Sequence, residues 1–125
     1  MKVLVVGGTG LIGAEIALYL QAAGIDVSIM GRSRSAVPAL ASLPFIEADY
    51  LTASSALIAG FDHLVFAAGA DLRYLPLDGS ETPEAFYTRV NTEGIPAFFE
   101  RARIAGVGRC VYIGTFYPQV APQRI

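Results

Sequence analysis

The chain has 125 residues, of which 54% are hydrophobic, so it is long enough for one domain with a sizeable core and too short for a second domain of ordinary size. Its formal net charge of -2 leaves no basic surplus for a nucleic-acid backbone or an anionic membrane. Because no stretch approaches the roughly 20 apolar residues that span a bilayer and no signal peptide is recognisable, we expect one cytoplasmic domain over residues 1–125, with neither a membrane nor a nucleic acid as partner.

Short runs rich in β-branched residues alternate with helical stretches in the first half of the chain. The pattern predicts a strand over residues 2–6, a helix over 11–23, a strand over 26–30, a weak alanine-rich helix over 36–43, a strand over 44–47, a short helix over 54–59 and a strand over 63–67. Gly24 stands where the first helix is expected to end.

The second half of the chain predicts one long helix and a last strand. A loop over 71–81 leads to Thr82-Pro83-Glu84, which is typical of a helix start because threonine caps free amides, proline tolerates the first helical position and glutamate favours the positive end of the dipole. The helix is expected to reach residue 105, with a disturbance at 94–96 where proline removes a backbone donor. A strand is predicted over 109–113.

This alternation predicts an α/β protein with a Rossmann-type doubly wound parallel sheet of about five strands and helices on both faces. Five strands leave the second half of such a sheet short, so we expect a truncated domain, the amino-terminal part of a longer protein. Cys110 is the only cysteine, which excludes an internal disulfide, and its apolar neighbours predict a buried strand residue.

The strongest signal is Gly7-Gly8-Thr9-Gly10-Leu11-Ile12-Gly13, between the first strand and the first helix. It satisfies Gly-x-Gly-x-x-Gly from Gly8, in the position that a dinucleotide site requires. Glycines permit the tight turn and let a diphosphate approach free amides at the positive helix end, while Gly13 lets helix and strand pack closely. A mononucleotide P-loop fits less well, because the required Lys-Ser/Thr pair is missing and Lys2 is the only lysine.

The residues after the second strand distinguish between the two nicotinamide dinucleotides. An NAD site usually offers a carboxylate there to the ribose 2′-hydroxyl, whereas this chain has Gly31-Arg32-Ser33-Arg34. A guanidinium pairs with a 2′-phosphate through charge-assisted hydrogen bonds, and Ser33 adds a hydroxyl donor. The sequence therefore favours NADP(H) over NAD(H), with solvated turn residues as the alternative for both arginines.

The whole chain resembles the amino-terminal part of the extended or atypical short-chain dehydrogenase/reductases, the NAD-dependent epimerase/dehydratase group. Five stretches match in order. They are Val3 to Gly13, Gly31-Arg32-Ser33, Glu47-Ala48-Asp49-Tyr50, Val65-Phe66-Ala67-Ala68-Gly69, and Asn91-Thr92-Glu93-Gly94 continued by Gly106 to Thr115. The first stretch resembles the family's cofactor loop, and the second resembles its NADP-type turn.

The resemblance implies roles for further residues. Asp49 would accept a hydrogen bond from the adenine amino group, with Tyr50 beside it, although a loop carboxylate or a helix cap is an equal alternative for Asp49. The ribose would lie close to the backbone of Ala67-Ala68-Gly69, and Asn91 would lie in the helix behind the active site. Thr115 stands where the family usually has its catalytic serine, although Gly114-Thr115 also fits a strand-ending turn.

The chain departs from the family at the proton-transfer pair. No tyrosine has a lysine four residues later, so the family's Tyr-x-x-x-Lys pair cannot be placed. A tyrosine has an unperturbed pKa of about 10 and normally needs a lysine cation nearby to lower it. With one histidine and one cysteine in the chain, we also expect no metal site.

Two functions follow as hypotheses. The first is the NADP(H)-binding domain of an oxidoreductase, epimerase or dehydratase that acts on a small sugar- or ketone-like substrate, with the catalytic pair outside this chain. The second is a catalytically silent NADP(H)-sensing or regulatory module that acts through a partner. A second copy of the chain, forming a homodimer, is a further candidate partner.

Overall fold

The computed structural model describes residues 1–35, 37–68 and 75–114 and contains a five-stranded parallel sheet in the order β3-β2-β1-β4-β5. The strands are β1 (Lys2–Val6), β2 (Asp26–Gly31), β3 (Phe45–Glu47), β4 (His63–Phe66) and β5 (Arg109–Tyr112). This strand order is that of a Rossmann fold, so the predicted fold class is confirmed.

Helical segments connect the strands. They are α1 (Leu11–Ala22), a 3₁₀ turn (Pro38–Leu40), α2 (Ser55–Ile58), α3 (Pro83–Tyr87), a π-helical segment (Thr88–Glu93) and α4 (Gly94–Ile104). The predicted threonine cap of α3 is present, because the Ala85 amide donates to Thr82 Oγ1 over 3.1 Å. Helix α1 ends two residues before Gly24, whose φ of 82° is the left-handed conformation that glycine adopts readily after a helix.

Two hydrophobic clusters cover the two faces of the sheet. Side chains of β1 alternate between them: Val3 and Val5 pack in the cluster beneath α1, whereas Leu4 and Val6 pack in the cluster beneath α4. All four are almost fully buried. A strand buried on both faces is typical of a parallel sheet with helices on both sides, and this burial fixes the register of the central strand.

The prediction of a helix over 36–43 was wrong. Within the described part of this stretch the chain forms the 3₁₀ turn Pro38–Leu40. Proline disfavours the helical conformation in the residue before it, and Val37 is extended with ψ of 118°. Leu40 and Leu43 are buried, so this short segment contributes to the core through two side chains and not through a continuous helical face.

The prediction that Cys110 is buried was also wrong, because its side chain is exposed. Among the described residues, strand β5 pairs only with β4 and forms the edge of the sheet. Its neighbours Val111 and Tyr112 are 53% and 55% exposed. An apolar strand sequence predicts strand formation, but burial requires a further layer that the described residues do not supply on this edge.

The long helix is disturbed at Thr88–Glu93 and not at 94–96 as predicted. Pro96 has no amide proton, and its ring crowds the carbonyl group four residues earlier, so the wider π winding lies on the amino-terminal side of the proline. Gly94, the first residue of α4, lies directly against Leu51. A Cβ at position 94 would overlap the Leu51 side chain.

Tyr50 joins the end of β3 to this π-helical segment. Its hydroxyl donates a hydrogen bond to the Val90 carbonyl oxygen over 2.5 Å, and its ring lies edge-on to Phe66, with the two centroids 5.1 Å apart. Burial, and secondarily the negative charge of Asp49, raises the pKa of Tyr50 to about 12. Tyr50 therefore stays neutral and serves as a donor at all physiological pH values.

We predict that the contribution of Tyr50 to stability is lost in alkali. The folded-state pKa of about 12 exceeds the ordinary value of 10.0, so the contribution is fully present below pH 10 and declines as the pH rises towards 12. The free energy of unfolding of the unsubstituted chain should fall by roughly 2 kcal/mol relative to that of Tyr50→Phe over this interval. Denaturant titrations of both chains at several pH values measure the difference, and parallel pH profiles would contradict the prediction.

Candidate functional site

A cavity of about 480 Å³ opens where strands β1, β2, β3 and β4 end. Ligands of open α/β sheets bind at this edge, in the crevice where the strand order reverses. The lining residues are Val6, Gly7, Thr9, Gly10, Met30, Gly31, Arg32, Ala48, Asp49, Tyr50, Leu51, Ala67, Ala68, Phe86, Arg89 and Val90. Eight of the residues predicted from the sequence are therefore brought together: Gly7, Thr9, Gly10, Arg32, Asp49, Tyr50, Ala67 and Ala68.

The glycine turn after β1 forms the floor of the cavity. Gly7 has a φ of 84° and donates its amide proton to the Met30 carbonyl oxygen over 2.8 Å. A Cβ at this position would lie 2.7 Å from the Ala68 backbone nitrogen. Any larger residue would therefore both strain the turn and press on the end of β4. The close approach requires glycine for conformational and for steric reasons.

The first turn of α1 lies against this floor. A Cβ on Gly13 would overlap the carbonyl oxygen of Gly7, so Gly13 permits the close packing of helix and turn that the sequence predicted. Gly10 precedes the helix, which has no side-chain cap and no acidic residue in its first turn. The side chains of Leu11 and Ile12 are 85% and 56% exposed. Neither residue is among those that line the cavity, so a contact between their backbone amides and a ligand stays a prediction.

This arrangement fits the diphosphate of a dinucleotide. The first amides of any α-helix lack an intrahelical acceptor, and the helix dipole adds partial positive charge at the same place. Here those amides follow a turn that has no side chain beyond the backbone at Gly7, Gly8 and Gly10. Because no carboxylate competes within the first turn of α1, an anionic ligand is the group that this helix terminus accommodates best.

The end of β2 contributes a cation. Arg32 lines the cavity, and Gly31 beside it is packed against Thr9, since a Cβ on Gly31 would lie 2.9 Å from Thr9 Oγ1. Ser33 is not among the lining residues of the described chain. The Arg34 guanidinium lies over the Phe45 ring, 5.0 Å from its centroid. The two arginines therefore have different surroundings, and only Arg32 contributes to the cavity wall.

Asp49 lines the cavity and also caps a turn. Its Oδ1 atom accepts a hydrogen bond from the Leu51 amide over 2.9 Å, and its carbonyl oxygen accepts one from the Ala53 amide over 2.8 Å. Of the two alternatives that the sequence left open for this carboxylate, the loop role is present, because the hydrogen bond closes a turn and no helix begins there. The hydrogen bond from the Leu51 amide occupies one carboxylate oxygen of Asp49 and fixes the orientation of this side chain at the cavity edge.

The remaining predicted residues lie at different places. Ala67 and Ala68 line the cavity directly after β4, where small side chains leave the backbone accessible. Asn91 lies in the π-helical segment with its Oδ1 atom buried, and it is not among the residues that line the cavity. Gly69 and Thr115, predicted for ribose contact and catalysis, lie outside the described residues.

Sequence reasoning missed the wall that the second half of the chain provides. Phe86, Arg89 and Val90 line the cavity from α3 and the π-helical segment. Arg89 pairs with Glu81 through two hydrogen bonds of 2.9 Å. Nothing in the local sequence indicates that these residues meet the ends of β2 and β3, because the contact depends on the hydrogen bond from Tyr50 to the Val90 carbonyl oxygen across 40 positions.

Residues 1–35, 37–68 and 75–114 contain no group of three or more His, Cys, Asp or Glu side chains placed to hold a metal ion. No helix in these same ranges is long and apolar enough to cross a lipid bilayer.

Comparisons of the sequence identify relatives. The model of the NAD dependent epimerase/dehydratase family matches residues 3–125. The chain is 37% identical over 114 residues to a 3-diazoavenalumate denitrifying reductase from a Streptomyces species, covering 89% of this chain and 36% of that protein. The chain therefore spans about a third of the length of this curated relative.

Solved structures share the fold. A UDP-glucose-4-epimerase from Stenotrophomonas maltophila, with bound NAD and formylated UDP-arabinopyranose, superposes with a TM-score of 0.71 at 25% identity, covering 90% of this chain and 36% of that one. A short-chain dehydrogenase/reductase superfamily protein from Agrobacterium tumefaciens with bound NAD has a TM-score of 0.72 at 23% identity and covers 95% of this chain and 34% of that one. The family match over residues 3–125 shows that the chain belongs to the NAD dependent epimerase/dehydratase family, and these solved structures share its fold.

Proposed function

We propose that this chain is the NADP(H)-binding part of an oxidoreductase, epimerase or dehydratase whose catalytic Tyr-Lys pair lies outside it. The observation that carries the proposal is one cavity that joins an uncapped helix terminus, a glycine turn and Arg32. A diphosphate and a 2′-phosphate are the two anionic groups of NADP, and the cavity offers one positive feature for each.

The turn and the first helix would hold the diphosphate. Gly7, Thr9 and Gly10 line the cavity, and the amides of Leu11, Ile12 and Gly13 would donate to phosphate oxygens. Bound in this way, the cofactor supplies hydride transfer at its nicotinamide ring. The small residues after β4, Ala67 and Ala68, would leave room for a ribose against the backbone.

Arg32 supports the preference for NADP(H). It stands directly after β2, where a family member that uses NAD commonly has a carboxylate for the ribose 2′-hydroxyl. Asp49 is the carboxylate that lines the same cavity, but it follows β3 and already caps a turn. We infer that Asp49 remains available to the adenine amino group through its second oxygen, and that Arg32, with Ser33 beside it, contacts the 2′-phosphate.

The substrate class is proposed from the relatives. The Stenotrophomonas maltophila epimerase was solved with a UDP-linked sugar, and MoeE5, at 26% identity and a TM-score of 0.69, was solved with UDP-glucuronic acid and NAD. The reductase from Streptomyces acts on a different kind of molecule by its name. The two structures with UDP-linked sugars support the sugar-like substrate that the sequence predicts, while the ketone-like alternative and a homodimer stay predictions from the sequence alone.

The presence of a single lysine, far from the cavity, favours a second candidate function. Lys2 is the only lysine in the sequence, and it lies at the amino end of β1, opposite to the end that meets the cavity. It therefore cannot lower the pKa of a tyrosine at the site. A chain that binds the cofactor without this pair would function as an NADP(H)-sensing or regulatory module, and a partner would then report the bound state.

We predict that Arg32→Ala weakens NADP⁺ binding by roughly tenfold to a hundredfold and changes NAD⁺ binding by less than about twofold, because only NADP⁺ loses a charge-assisted hydrogen bond. Calorimetric titration of the purified chain measures both dissociation constants. Arg34→Ala is the matched control, since its guanidinium lies over Phe45, and it should leave both constants unchanged. Equal losses for the two dinucleotides in Arg32→Ala would contradict the preference.

We also predict that residues 1–125 show no hydride transfer when supplied with NADPH and ketone or nucleotide-sugar substrates. The reason is the missing lysine: without it no tyrosine is expected to act as a general acid near neutral pH. Loss of nicotinamide absorbance with time is the measurement. Turnover by the purified chain above the buffer control would contradict this prediction, but it would not contradict the proposal that the chain binds the cofactor.

A further inference from the structure

Arg89 lies on the side of the cavity that the ends of β2 and β3 form. In the proposed function this side binds the adenosine. The strand order places β2 and β3 on one side of the glycine turn and β4 on the other. Tyr50, at the end of β3, donates to the carbonyl oxygen of Val90, the residue next to Arg89. The π-helical segment is thereby tied to the β3 side, which is also the side of Arg32 and Asp49. The charges of Arg89 and Arg32 both act on the Tyr50 hydroxyl, which agrees with this placement.

The Arg89 guanidinium is held in a defined orientation. Its Nε and Nη2 atoms donate to the two carboxylate oxygens of Glu81, each over 2.9 Å. Its Cζ atom lies over the ring of Phe86, 5.8 Å from the centroid. A bidentate pair uses the edge of the guanidinium plane, so the faces of that plane remain for aromatic contacts. Phe86 and Arg89 both line the cavity, where a planar ring of a ligand can approach the guanidinium.

The Arg89–Glu81 ion pair carries no net charge. The Glu81 carboxylate neutralises the arginine charge, and the pKa of that carboxyl is lowered by its hydrogen bonds to Arg89. The two partners differ in exposure: the Arg89 side chain is 52% exposed and the Glu81 side chain 17%. A neutralised, oriented and accessible guanidinium is better suited to stack on a planar ring than to attract a phosphate.

We propose that the Arg89 guanidinium stacks on the adenine ring of the cofactor. Glu81 is its positioning residue, and the Phe86 ring packs beside it. The proposal rests on the proposed function, because it needs a dinucleotide in this cavity. It adds Arg89 to the residues already proposed for the adenosine part of the cofactor, with a role distinct from that of Arg32. Arg32 would recognise the 2′-phosphate and so distinguish NADP from NAD, whereas Arg89 would contribute equally to every ligand that carries adenine.

The test compares Arg89→Ala and Arg89→Lys by calorimetric titration with ADP, NAD⁺ and NADP⁺. ADP contains the adenine and the diphosphate without the nicotinamide. Both variants should weaken all three ligands by about tenfold, and the ratio of the NADP⁺ to the NAD⁺ dissociation constant should not change. Lysine keeps the charge and loses the plane, so its failure to restore binding identifies stacking as the interaction.

Arg103→Ala is the matched control. Arg103 on α4 forms the same kind of bidentate pair, with Glu100, through hydrogen bonds of 3.0 and 2.7 Å, and it does not line the cavity. This variant should bind all three ligands like the unsubstituted chain. Circular dichroism of each variant verifies that the fold is retained.

Three outcomes would overturn the proposal. Full binding by Arg89→Lys would mean that the charge matters and the plane does not, and a loss confined to NADP⁺ would mean a contact with the 2′-phosphate. Unchanged binding in Arg89→Ala would mean that Arg89 does not contact the ligand. A failure of the proposed function itself is distinguishable, because then the unsubstituted chain would bind none of the three ligands.

Discussion

The close packing of backbone against backbone at the first turn underlies the rest of the site. Gly7 meets the end of β4 with no space for a Cβ, and Gly13 meets the Gly7 carbonyl oxygen in the same way. These two contacts aim the amino terminus of α1 at the edge where four strands end. Any substitution that separates helix from turn would move the helix dipole away from a bound anion, so geometry and electrostatics are coupled at this junction.

The cavity acquires its second wall through one buried hydrogen bond. The Tyr50 hydroxyl donates to the Val90 carbonyl oxygen, and a tyrosine with a pKa near 12 remains a donor at any physiological pH. This bond ties the π-helical segment to β3, so a floor built by the first half of the chain faces side chains from the second half. The Val90 carbonyl oxygen that accepts this bond lies within the π-helical segment.

The sequence predicted the elements more reliably than their surroundings. Strand positions and the Thr82 cap are local properties, and they agree with the structure to within a residue or two. The helix expected over 36–43 failed because Pro38 and Pro44 bracket a segment too short to sustain one. Cys110 is exposed because the burial of an edge strand depends on the elements that pack beside it. A run of apolar residues in the sequence does not show whether such elements are present.

By itself the sequence determined the parallel α/β class, the glycine turn at the start of the first helix, and an arginine after the second strand. All of these follow from periodicity, residue shape and charge within short windows. Only the tertiary structure decided that Arg32 and not Arg34 lines the cavity, that Asp49 caps a turn, and that Arg89 lines the same cavity. The reason is physical: these placements depend on contacts between residues far apart in the chain, and such contacts exist only after the sheet has brought the strand ends together.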